Sequence, residues 1–151
     1  MLRRVVLSAA ALSFACGSGS TSTEPPAPSF CASDPRVAAF SIGLQATPTA
    51  GNVHVRITAA EPARVVQGQN DWTVAISSND APIDGLTVTV KPQMPDHGHG
   101  SSTIPTVTAL GGGLYRVSAI TMPMRGVWTI TFQVSGAIVG AATFTLCVDG
   151  T

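Results

Sequence analysis

Charge is scarce in this sequence. Asp, Glu, Lys and Arg together make 11% of its 151 residues, against ~25% in an average soluble protein. Eight Lys and Arg balance eight Asp and Glu, and the basic residues form no cluster. A nucleic-acid surface needs a basic patch, so nucleic acid is not an expected partner. No segment repeats and none shows a sustained helical period. A phosphate-binding glycine loop is missing, and so is a pair of carboxylates placed for acid–base work, so an enzyme is not expected. Cysteine is limited to three residues, none in C-x-x-C spacing, which removes the usual thiolate metal site. Thr, Ser, Gly, Ala and Val fill the chain instead, a mixture that suits strands and turns better than helices. At this length one domain is the natural organisation.

Residues 1–16 read MLRRVVLSAAALSFAC. Arg3 and Arg4 form a basic start, and Val5 to Ala15 form an apolar run too short for the ~20 residues of a membrane-spanning helix. That is the pattern of a signal peptide over 1–15. The segment Ser13-Phe14-Ala15-Cys16 resembles the bacterial lipobox, in which a small residue precedes a cysteine that becomes the acylated N-terminus. Ser13 stands where the motif prefers Leu. Cys16 is therefore the expected lipidation site. The tract GSGSTSTEPPAPS that follows is Gly/Ser-rich and then Pro-rich, so residues 16–29 are expected to be a disordered tether. With lipid on Cys16, Cys31 and Cys147 remain. An even remainder in an oxidising compartment reads as a disulfide. The chain is thus expected in the bacterial periplasm or cell envelope, held to a membrane by its N-terminal lipid.

Residues 30–151 show apolar alternation in short runs. Val53, Val55 and Ile57 begin the series, and Trp72, Val74 and Ile76 continue it. Leu86, Val88 and Val90 follow, then Tyr115, Val117 and Ala119. Trp128, Ile130, Phe132 and Val134 make a fifth run, and Ala142, Phe144, Leu146 and Val148 a sixth. Period two over several residues marks half-buried strands. Turn residues separate the runs at Gln67–Asp71, Asn79–Pro82, Gly111–Gly113 and Ser135-Gly136. The pattern predicts an all-β fold, a single antiparallel immunoglobulin-like β-sandwich of about seven strands. Cys147 falls on the face of Thr143 and Thr145, opposite Phe144 and Leu146, so its disulfide should lie on the outer face of the last strand.

Two short segments concentrate the residues with ligand chemistry. One is Met94-Pro95-Asp96-His97-Gly98-His99-Gly100. The other is Met122-Pro123-Met124-Arg125-Gly126-Val127-Trp128. They hold three of the four methionines and two of the three histidines. Thioether sulfur is soft and selects Cu(I), and imidazole accepts copper in either oxidation state. The expected ligand set is Met94, His97, His99, Met122 and Met124. Asp96 is the expected acceptor for an imidazole N–H, as ligating histidines usually require, and Trp128 the expected cover. The other reading of the same residues uses methionine as core filler at the end of the sandwich and leaves both histidines exposed with no ion.

The M-P-x-H-G-H segment at Met94 to His99, the Gly113-Leu114-Tyr115 strand start and the M-x-M-x-G-x-W segment at Met122 to Trp128 together resemble the YtkA-like domain. This is a small bacterial β-sandwich family related to FixH-type proteins. The resemblance runs from about Trp72 to Val134. It implies a sandwich in which the two segments belong together, in an exported or membrane-anchored setting with a suggested link to copper. The function expected is an envelope protein that binds a copper ion and buffers or transfers it, with a metallochaperone or another envelope protein as partner. The alternative is a structural or protein-binding module without metal.

Overall fold

The computed structural model describes residues 30–149 apart from Ala32. The expected signal peptide, tether and lipidated Cys16 lie outside the described residues. The strands are β1 Thr47–Ala50, β2 His54–Glu61, β3 Gly68–Ser78, β4 Ala81–Pro82 and β5 Thr87–Met94. After them come β6 His99–Gly100, β7 Thr106–Gly111, β8 Leu114–Met122, β9 Gly126–Ser135 and β10 Gly140–Val148. They form two antiparallel sheets, ordered β1-β10-β9-β5-β6 and β2-β3-β8-β7, with β4 beside β3. The all-β sandwich is thus as the alternation predicts.

All six alternating runs are strands. The extra strands are the ones that alternation marks poorly: β1 is four residues with Pro48 inside it, and β4 and β6 are two residues each. β7 is exposed along most of its length, so it shows no apolar face. The inward residues of the two sheets meet in one core. Val55, Ile57, Trp72, Val74, Ile76, Tyr115 and Val117 come from one sheet, and Val88, Val90, Ile130, Phe132, Phe144 and Leu146 from the other. Phe40, Trp72, Phe144 and Phe132 run through it in edge or tilted contact, with ring centres 5.7–5.8 Å apart. Such pairs add about 0.5–1.5 kcal/mol each beyond their buried area.

Two local features depart from the pattern. Gln67–Asp71 reads as a turn, yet β3 starts at Gly68. Asn70 explains the difference: it is fully buried, and its side chain bonds Val66 N, Val66 O and Gly68 O. A turn-type residue here ties down the preceding loop from inside the strand. The second feature is a bulge in β8. Ala119 has φ +62°, and its N–H donates to Asp71 Oδ1 at 2.8 Å. One extra residue shifts the alternation. Ala119 therefore leaves the inward face, and Ile120 and Met122 take it, both fully buried.

The tight turns follow their residues. Asn79 and Asp80 have φ +49° and +61°, the pair of left-handed conformations of a type I′ hairpin, joining Ser78 to its partner Ala81. Gly112 and Gly113 turn β7 into β8, and their N–H groups donate to the Asp84 carboxylate. Cys31 and Cys147 are joined, with Cα atoms 5.5 Å apart. Cys147 is half-buried on the outer face of β10, where its parity puts it. The bridge ties the start of the described chain to the last strand.

Candidate functional site

Val88, Val90, Pro92 and Met94 alternate inward along β5, and Met94, 2% exposed, is the last of them. Pro95 has no N–H to continue the ladder, and Pro95–His97 form a single 3-10 turn. Gly98 then turns the chain back at φ +66°, with open space where a Cβ would stand. Its backbone angle, and not crowding, calls for glycine. β6 returns beside β5, with His99 opposite Met94 and Gly100 opposite Gln93. Opposed residues in an antiparallel pair share a face with Cβ atoms ~4.5–5.5 Å apart. His99 thus stands on the Met94 face, and the His97 ring lies 5.6 Å from the His99 ring, edge to face. Both imidazoles are exposed.

The second segment reaches the same end of the sandwich. A Cβ on Gly126 would lie 2.6 Å from Met94 Cε, so the thioether end fills the space that glycine leaves at the start of β9. Met122 and Met124 do not share a face, because the strand ends between them. Met122 is fully buried in the core beyond the β8 bulge, and Met124 is 40% exposed in the turn. Trp128 is fully buried, and its indole N–H donates to Met124 O at 2.8 Å. It holds the Met124 turn from below.

Asp96 has a different partner from the one expected. Both its oxygens accept from the Arg36 guanidinium at 2.7 Å. Arg36 also bonds Asp34 through Nε and Nη2. The Arg36 side chain, then its backbone N–H, hold the Asp34 carboxyl down to about 2, and the same guanidinium lowers Asp96. This contact spans 60 residues, and the sequence gives no sign of it. It brings Phe30, Cys31, Ser33 and Asp34 to one wall of a cleft of about 290 Å³, with Met94, Asp96 and His97 among its other walls. Arg125, in the Met124 turn, stacks its guanidinium 4.8 Å from the centre of the Phe30 ring.

The donor set follows from these contacts. Among the described residues, Cys31, Cys147 and Asp149 form the one group of three His, Cys or acidic side chains with ligand atoms within 4.8 Å of one another. Its sulfurs are joined in the disulfide, so it offers no thiolate. Among the described residues, His97 and His99 belong to no such group of three; Met94 and His97 line the same cleft, and Met94 is paired across the ladder with His99. Two imidazoles bound to one ion at N distances of about 2.0–2.1 Å place their ring centres roughly 4.5–6 Å apart. The observed 5.6 Å, edge to face, lies inside that range and is equally the spacing of an ordinary aromatic pair.

A family model described as YtkA-like matches residues 49–133, more than half of the chain. The match begins upstream of Trp72 and takes in β2 to β8 entire, with both ligand-rich segments. No curated protein and no solved structure matches.

Proposed function

This chain belongs to the YtkA-like family, and from that premise we propose an exported, lipid-anchored sandwich that binds one copper ion and buffers it or passes it to an envelope partner. The ligands are His97, His99 and Met94. The observation that carries the reading is the β5–β6 register: it sets Met94 opposite His99, while the His97 ring stands 5.6 Å from the His99 ring. Two imidazoles and one thioether suit copper better than zinc, calcium or magnesium, which prefer thiolate, imidazole or oxygen sets. Met124, exposed in the turn, is the available further thioether. Met122 serves the core. Exposed imidazoles leave a bound ion open to ligands from a second protein, as transfer requires. The leader, the lipobox-like Cys16 and the Cys31–Cys147 bridge support an oxidising, extracytoplasmic setting.

Competition against a Cu(I) chelator, in a reductant that spares the disulfide, tests the proposal. The expected result is one ion per chain, lost in His97→Ala/His99→Ala. Met94→Leu keeps the core volume and should weaken binding at least about tenfold by removing the soft donor. Absence of binding, or equal binding by the double-histidine variant, sinks the proposal. A metal-free protein-binding module is the second reading. It rests on the burial of Met94 and Met122, which is how methionine fills a core, and it expects partner capture that a chelator leaves unchanged.

A further inference from the structure

A sheet edge exposes a row of unpaired N–H and C=O groups, and soluble sandwiches block such rows. Three edges here are blocked. Along β2 runs the segment 43–46, with Gly43 N bonded to Ile57 O, Ile57 N to Leu44 O and Ala46 N to Val55 O. β1 is four residues long and contains Pro48. The outer side of β5 carries Lys91 and Pro92, is paired by β6 at its end, and takes a bond from Ser101 N at Pro92 O. β7 is the fourth edge. It pairs with β8 on one side, and among the described residues nothing pairs with its other side. Its sequence, Thr-Val-Thr-Ala-Leu-Gly, has no charge and no proline. Its one protection is the bulge between Ala109 and Gly111 at its far end, which leaves Thr106–Ala109 regular.

We propose that the β7 edge is an interaction surface, and that its occupant is β7 of a second copy of this chain, antiparallel about a two-fold axis at Thr108. The residues are complementary to themselves in that register. Val107 meets Ala109 of the other copy, and Thr108 meets Thr108. Apolar and Thr–Thr cross-strand pairs stabilise a sheet, whereas like charges directly opposite destabilise it; here no charge is present to repel. The bulge between Ala109 and Gly111 lies beyond the three central pairs. Two exposed aliphatic side chains stand at its ends, Ile104 at 86% just before the strand and Leu110 at 53% near its close. The two-fold brings Leu110 of each copy toward the Ile104 end of the other. The β2-β3-β8-β7 order then continues into the second copy as eight strands, with β4 beside β3 in each. One short strand pair buries little area, so the dimer is weak and concentration-dependent.

Sedimentation of the purified chain over a concentration series tests this. The wild type should pass from monomer to dimer. Thr108→Lys and Thr108→Glu, each placing like charges opposite at the axis, should each raise the dimer dissociation constant at least about tenfold. An equal mixture of the two should recover dimer. A wild type that stays monomeric throughout, a Thr108→Lys dimer as tight as wild type, or a mixture that recovers nothing overturns the proposal. Amide exchange of the wild type gives a test free of variants. Exchange at Thr106–Leu110 should slow as concentration rises, and rates independent of concentration contradict the pairing.

Discussion

Removing the disulfide should cost this domain a large part of its stability. The bridge joins residues 116 apart. In the chain-entropy description, closing a loop of that length removes about 5 kcal/mol of unfolded-state freedom, and removing a native disulfide from a small domain typically costs about 2–5 kcal/mol. Total stabilities are about 5–15 kcal/mol, so the loss is a substantial fraction of the whole. The perturbation is Cys31→Ser/Cys147→Ser. Urea unfolding of the oxidised wild type and the variant is the assay. With an m-value of roughly 2 kcal/mol/M, the midpoint should fall by roughly 1–2.5 M. The variant's m-value should rise, because its denatured state opens further. The folded variant should keep its sheets, since Ala38 N still bonds Thr145 O at 2.9 Å beside the lost link. A stability loss below about 1 kcal/mol at unchanged m would refute the claim that the bridge constrains the unfolded chain.

Other outcomes follow from single contacts. Tyr115 is buried; its hydroxyl donates to Ile83 O at 2.9 Å and accepts from Leu86 N at 3.1 Å. Tyr115→Phe strands both backbone groups and should cost about 1–3 kcal/mol in urea unfolding, with a fully native far-ultraviolet spectrum. The Asp34–Arg36–Asp96 contact should be sensitive to acid in one direction. Asp34 is depressed from 3.8 to about 2 and Asp96 is lowered, in both cases mainly by hydrogen bonds from Arg36. A depressed carboxylate stabilises the folded contact above its unfolded value and loses that contribution as pH falls through the folded value. The Arg36 Nε–H resonance should therefore be unchanged between pH 7 and about 4 and move toward a free-arginine position as pH falls through about 2. A collapse above pH 5 contradicts the assignment.

Strand parity was readable because the two faces of each main strand meet such different surroundings. It stopped being readable at Ala119, where a single bulge moved Ile120 and Met122 inward, and at Gln67–Asp71, where Asn70 turned a loop signal into a buried anchor. β7 was unreadable for a physical reason: an edge strand with little apolar packing has no alternation to show. The site divides the same way. Met94, His97 and His99 sit within six residues, so proline, glycine and the two-residue return strand nearly dictate that His99 pairs with Met94 and that the two rings stand close. Met122 and Met124 looked equivalent by spacing, but spacing holds only inside a strand, and the strand ends between them. Arg36 could not be found from sequence at all. Its partnership with Asp96 joins residues 60 apart, from ahead of β1 to the turn after β5, which no local pattern announces. Trp128 is buried at this end, and its indole N–H is satisfied from beneath the Met124 turn.

The central claim is the proposed copper ion on His97, His99 and Met94. The most direct measurement is the X-ray absorption spectrum of the copper-loaded chain at the copper edge. The account predicts imidazole scattering from nitrogens at about 2.0 Å and a sulfur shell at about 2.3 Å, with the sulfur reduced in Met94→Leu and the imidazole pattern absent in His97→Ala/His99→Ala. A copper site without imidazole scattering, or one that both variants leave unchanged, would contradict it.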